Sequence, residues 1–213
     1  MTRGKWAWLG VLAAFYASFW IWYGGKGAPL TPIEGEKMLD AIGTMYRAHG
    51  KQPANTDFRA NIQAMIARDD GREIYMINLE SREPGSAAMA AEARYGAVVL
   101  PLLLKRGSHP VFVGERAGLA LGQYGQKIDR VAIVRYRSLR DFIDMNADPA
   151  MLVGIDDKFA ALTHTEVFVT RPVVAIETIR LTLALLLTVF GWLGLKLINW
   201  RQRRQSRSTS HPS

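Results

Sequence analysis

The apolar residues of this chain are gathered at its two ends. Residues 6–23 and 173–200 form stretches long enough, at 1.5 Å per helical residue, to cross a hydrocarbon layer of about 30 Å. A simple soluble globule is excluded. The first stretch carries Trp6 and Trp8 at one end and Trp20 and Trp22 at the other, the pattern of an interfacial aromatic belt. Gly10, Ala14 and Ser18 recur every fourth residue and predict one helix face where a partner membrane helix approaches closely. A cleaved signal peptide is the competing reading of 6–23. It calls for a shorter apolar core and an A-x-A-like site, where this chain has Gly24-Gly25-Lys26-Gly27-Ala28, so an uncleaved anchor is expected.

The second stretch has an uninterrupted core at 181–195, preceded by Glu177 and Arg180 and followed by Lys196 and Trp200. The core is short for a span, and long side chains reaching the interface extend it. Glu177 and Arg180 stand three apart on a helix and are expected to pair at the membrane edge. Eight of the 27 basic residues lie at the two ends, and all 19 acidic residues lie from Glu34 to Glu177. The middle is close to neutral, which argues against a nucleic-acid face. Basic residues at span ends are retained on the cytoplasmic side. Both termini are therefore expected in the cytoplasm, with the central part outside it, in the periplasm if the membrane is a bacterial inner membrane. Arg201, Arg203, Arg204 and Arg207 are expected at lipid head groups. The organisation read from these signals is a cytoplasmic N-terminus at 1–5, a span at 6–23, a helical extension at 31–67, a folded domain at 73–172, a span at 173–198 and a basic disordered tail at 199–213.

Between the spans, Thr31-Pro32-Ile33-Glu34 has the form of a capping box with proline at the first helical position. Ile33, Met38, Ile42, Met45 and Tyr46 follow as an apolar stripe, and a second helix is expected at 57–67 with Phe58, Ile62, Met65 and Ile66 inward. Strands are expected at 73–79, 110–115, 130–136 and 163–170, and helices at 86–105, 139–145 (capped by Ser138) and 149–160. The order βαββαβ is an α+β ferredoxin-like unit, an antiparallel four-stranded sheet with helices on one face. Val131, Ile133 and Phe168 on the other face would need a cover, and a second copy is the simplest one. A homodimer is expected.

The runs Ile74-Tyr-Met-Ile-Asn78-Leu79, Tyr95-Gly96, Leu100-Pro101, Gly107-Ser-His-Pro-Val-Phe-Val-Gly114, Asp129-Arg-Val-Ala-Ile-Val-Arg-Tyr136-Arg-Ser138 and Phe142-Ile-Asp-Met145-Asn-Ala-Asp148-Pro149 resemble a domain-of-unknown-function family of the dimeric α/β-barrel superfamily. The resemblance covers about residues 73–172. It implies a barrel made by two ferredoxin-like sheets. Relatives in that superfamily include cofactor-independent monooxygenases, haem-degrading proteins and small isomerases, together with members of no assigned chemistry.

With no cysteine in the chain, disulfides, thiolate metal sites and a cysteine nucleophile are excluded. His49, His109, His164 and His211 have no metal-ligand spacing, and neither a phosphate loop nor a G-x-S-x-G elbow is present. The remaining polar candidates sit on or beside strands. Asn78 interrupts an apolar strand and must bind a ligand group or tie down a loop. His109 and His164 are candidate bases or haem ligands, against exposed turn and surface roles. Glu166 shares a strand face with His164, and Arg135 shares one with Val131 and Ile133, which suits it to a carboxylate. No cofactor is required by this pattern, haem being the one considered. Three readings follow: a membrane-anchored module binding a ligand or assembling a membrane protein, a cofactor-independent oxygenase or isomerase, and a haem-binding protein.

Overall fold

The computed structural model describes residues 2–24, 28–51, 56–173 and 179–208. The chain divides into two compact units, Gly24–Val173 and the two ends, Met1–Tyr23 with Val174–Ser213. In the end unit, α1 (Arg3–Gly24) and α7 (Ile179–Ser208) are each long and apolar enough to cross a membrane. They lie antiparallel. Thr2 Oγ1 meets Gln202 Nε2 at 3.2 Å near one end of the pair, and the Arg180 guanidinium stands 4.8 Å from the Trp20 ring near the other.

The face of α1 that carries this pairing is not the one bearing Gly10, Ala14 and Ser18. Trp8, Leu9, Leu12, Tyr16 and Phe19 are half-buried, whereas Gly10, Ala14 and Ser18 are exposed and the Ser18 hydroxyl donates to its own Ala14 carbonyl at 2.9 Å. The close approach comes from α7: a Cβ on Gly191 would lie 3.5 Å from Leu12, and one on Gly194 would lie 2.2 Å from Trp8 Nε1. Bulky α1 side chains lie over glycines of α7, and the Gly10, Ala14 and Ser18 face is left outward. The tail also differs. α7 continues to Ser208, through most of the segment expected to be disordered, because 199–208 contains no glycine or proline to stop a helix and Arg204 stacks 4.0 Å from the Trp200 ring. Glu177, with its expected pairing to Arg180, and residues 209–213 lie outside the described residues.

The central unit opens with α2 (Pro32–Ala48) and α3 (Thr56–Ile66). The capping box at α2 is formed: Glu34 N–H donates to Thr31 Oγ1 at 3.3 Å and Thr31 N–H to the Glu34 carboxylate at 3.1 Å. Leu39, Ile42 and Tyr46 are the buried stripe of α2, with Met38 and Met45 beside them. Ile33 is 83% exposed, because it lies across the helix from Gly35, whose side of the first turn faces Ile66 of α3. In α3, Ile62 and Ile66 are buried, with Phe58 and Met65 packed alongside.

The elements β1 (Ile74–Arg82), α4 (Ser86–Lys105), β2 (His109–Glu115), β3 (Arg130–Tyr136), α5 (Leu139–Asn146), α6 (Met151–Ala160) and β4 (Leu162–Thr170) follow in the expected order. They build an antiparallel sheet of strand order β2-β3-β1-β4. Strand alternation divides it into two faces. Ile74, Met76, Val134, Tyr136 and Val169 enter one core with Leu103 of α4, Ile143 of α5 and Leu152 of α6. The opposite face is set by the register Ile133↔Ile77↔Phe168, with Phe112 opposite Ile133 and Val131 opposite Leu79. Val131, Ile133 and Phe168 therefore do share a face.

α4 is also long and apolar enough to cross a membrane, which the sequence reading did not count. Ala88, Ala91, Leu102 and Leu103 bury its inner side within the central unit, and Met89, Leu100 and Leu104 remain exposed.

Candidate functional site

The alternation of β1 that buries Ile74 and Met76 carries Asn78 and Glu80 onto the same helix-covered face. Glu80, 4% exposed, accepts from Arg130 Nε at 2.7 Å. Arg130 also donates to Glu92 of α4, and Arg82 bridges Glu92 at 3.1 Å and Glu115 at 2.9 Å. The five side chains alternate in sign, so each buried or half-buried charge has an opposite neighbour. Lys158 of α6 stands beside this chain of charges. Its ammonium donates to Asn78 Oδ1 at 3.3 Å and lies 5.8 Å from the Tyr95 ring centre, and no carboxylate among the described residues pairs with it. Burial holds the lysine below its ordinary pKa, only partly opposed by Glu80. Burial likewise pushes the Tyr95 phenol up to about 12.

Asn78 is the one member of this group that the sequence pointed to, as a strand amide in need of a hydrogen-bond partner. Asn78 Nδ2 donates to the Ala132 carbonyl of β3 at 3.1 Å while Oδ1 accepts from Lys158. The amide is occupied within the domain. Glu80, Arg130 and Lys158 had no sequence signal beyond Glu80 and Arg130 standing at strand ends, because the contacts join residues as far as 80 apart in the chain.

Arg135 meets a carboxylate within the domain. It is 1% exposed, and it holds a carboxylate of its own chain: Nε and an Nη donate to Glu73 Oε2 at 2.8 and 2.6 Å, and the other Nη donates to the Gly107 carbonyl at 3.0 Å. The guanidinium ties the start of β1 to the turn before β2.

The other candidates fall on the open face without meeting. His109, on edge strand β2, pairs in register with Arg135, and its Nδ1 lies 3.0 Å from the Pro110 carbonyl. His164 and Glu166 are exposed on the opposite edge strand, β4, in register with Ser81 and Leu79. Two strands separate the histidines, and Asn78 lies on the other face. Between the two edges runs the row Phe112–Ile133–Ile77–Phe168, with Phe112 53% and Phe168 45% exposed. The larger feature of this face is apolar. No group of three or more His, Asp or Glu among the described residues is placed to hold a metal ion.

Sheet order, helix placement and open apolar face define a ferredoxin-like α+β domain joined to a pair of apolar helices. No family model and no curated protein matches the chain. Among solved structures, a protein of unknown function from Rhodopseudomonas palustris superposes with a TM-score of 0.51 at 22% identity, covering 58% of this chain and 97% of that one. SnoaB, a cofactor-independent oxygenase from Streptomyces nogalater, matches with a TM-score of 0.36 at 14% identity over 50% of this chain and 98% of that one. A hydroxynitrile lyase from Passiflora edulis matches with 0.39 at 14% over 49% and 97%. The first likeness is one of fold alone, and the other two carry no argument about this chain.

Proposed function

We propose that the protein is a membrane-tethered homodimeric module that holds a ligand or assembles a membrane protein without itself performing catalysis. In this reading α1 and α7 cross a bacterial inner membrane as a hairpin with both termini in the cytoplasm, and the central unit lies on the periplasmic side. The antiparallel pairing of α1 with α7 supports a hairpin, and the basic residues at both ends, Arg3 and Lys5 with Arg201, Arg203 and Arg204, support the orientation. The observation that carries the reading is the open row Phe112–Ile133–Ile77–Phe168: four apolar side chains abreast on a sheet face that the helices of the central unit leave uncovered. Such a face marks an interface, and a second copy of the same sheet covers it symmetrically. The separation of His109, His164 and Asn78 weighs against an oxygenase, isomerase or haem site built from them.

Sedimentation of the full chain in detergent at tens of micromolar tests the proposal. The wild type is expected to sediment as a dimer and Ile133→Glu as a monomer, since a carboxylate in the centre of the row would have to be desolvated on pairing. A monomeric wild type overturns it. A Soret band on titration with haemin, lost in His109→Ala or His164→Ala, would restore the haem reading.

A further inference from the structure

The connection between β2 and β3, residues 116–129, is an arm with an apolar tip. Leu121 is 94% and Tyr124 100% exposed. Single exposed apolar residues are ordinary on protein surfaces. These two are held outward by a strapped backbone. At the base, Arg116 N–H donates to the Asp129 carbonyl and Asp129 N–H to the Glu80 carbonyl, both at 2.8 Å. The Asp129 carboxylate accepts from Arg82 N–H at 2.9 Å, and Ser81 Oγ donates to the Lys127 carbonyl. Nearer the tip, Gln126 N–H closes a turn on the Gln123 carbonyl at 3.1 Å, and Leu119 folds back so that a Cβ on Gly125 would lie 2.9 Å from its Cδ1. The arm is thus tied at its base to β1 and turned at its tip, with Leu119 lying against Gly125. Among the described residues, Leu121 and Tyr124 are left facing outward.

We propose that this arm is the clasp of the homodimer, with Leu121 and Tyr124 seated on the second copy. The inference rests on the dimer reading above. Two observations and the symmetry of a two-fold pair choose a second copy as the occupant. The arm leaves from edge strand β2, whose Phe112, 53% exposed, belongs to the open apolar row, so the arm springs from the rim of that face. In a two-fold pair, an element at the edge of the shared face meets the partner twice over. A lipid-binding loop would carry a cluster of basic residues, whereas the arm has Arg116 and Lys127 against Asp129, and Arg116 is turned back to the Ile128 carbonyl at 2.8 Å.

The absence of cysteine from the chain makes the test clean. Leu121→Cys is introduced into the full-length protein and into the Ile133→Glu variant, both in detergent, and labelled with a water-soluble maleimide. Labelling about tenfold slower in the dimer than in the Ile133→Glu monomer, with a dimer dissociation constant raised about tenfold by Tyr124→Ser, is the expected result. Equal labelling rates while sedimentation still reports a dimer overturn the clasp and leave the dimer reading intact. Protection that persists in the monomer assigns the tip to the detergent or lipid phase and also overturns the clasp. A monomeric wild type overturns both.

Discussion

A guanidinium that is 1% exposed requires its charge to be met inside the protein, and Glu73 meets that of Arg135 through two hydrogen bonds to one oxygen. The two partners are buried unequally, since the Glu73 side chain is 27% exposed. Glu73→Ala removes the carboxylate from a buried guanidinium and is expected to cost about 3–5 kcal/mol, whereas Arg135→Met leaves a carboxylate that can rehydrate and is expected to cost less. Denaturant midpoints of the two full-length variants check the order. Lys158 behaves in the opposite sense, because its folded-state pKa lies below its unfolded one. Between those two values the unfolded chain binds more protons, so stability rises with pH from the depressed folded pKa up to the ordinary lysine range. Lys158→Met is expected to flatten that rise and to raise the denaturation midpoint at the pH where the wild-type lysine is charged. The need of Asn78 for a partner was legible in the sequence, as was the fitness of Arg135 for a carboxylate. Which group answers each was not, because Lys158 and Glu73 reach them only through helix placement and the approach of strand ends.

At the scale of elements, local rules account for most boundaries. β3 and α4 fall where alternation and helical pattern place them, and Ser138 accepts from Asp141 N–H at 3.2 Å as the cap of α5. β1 runs on to Arg82, past its expected end at residue 79, because the polar Glu80 and Arg82 are drawn in by Arg130 and Glu92. The pairing of α1 and α7 was harder to read. Small residues at every fourth position permit close approach but do not choose which helix supplies the cleft and which the knob. Gly194→Val is expected to push the two helices apart, since its first side-chain atom would overlap Trp8 Nε1, whereas Gly10→Val meets nothing within 4 Å. A disulfide between Thr2→Cys and Gln202→Cys reports the pairing. Its yield is expected to fall with Gly194→Val and to persist with Gly10→Val.

At the scale of the whole molecule, the proposed pairing through the open face would couple stability to concentration. The thermal midpoint of the central unit in the full chain is expected to rise with protein concentration and to become independent of it in Ile133→Glu. The chain by itself determined two apolar helical ends, the βαββαβ order and the sharing of a strand face by His164 with Glu166, because each depends on periods, caps and composition read within a short window. Only the tertiary structure decided that His109 and His164 stand on opposite edges, that Asn78 and Arg135 are consumed internally, and that glycines of α7 receive the bulky residues of α1. Those outcomes depend on strand order, register and helix rotation. These are fixed by long-range packing between segments far apart in the chain, and no local pattern of residue types encodes the distance between two such segments once folded.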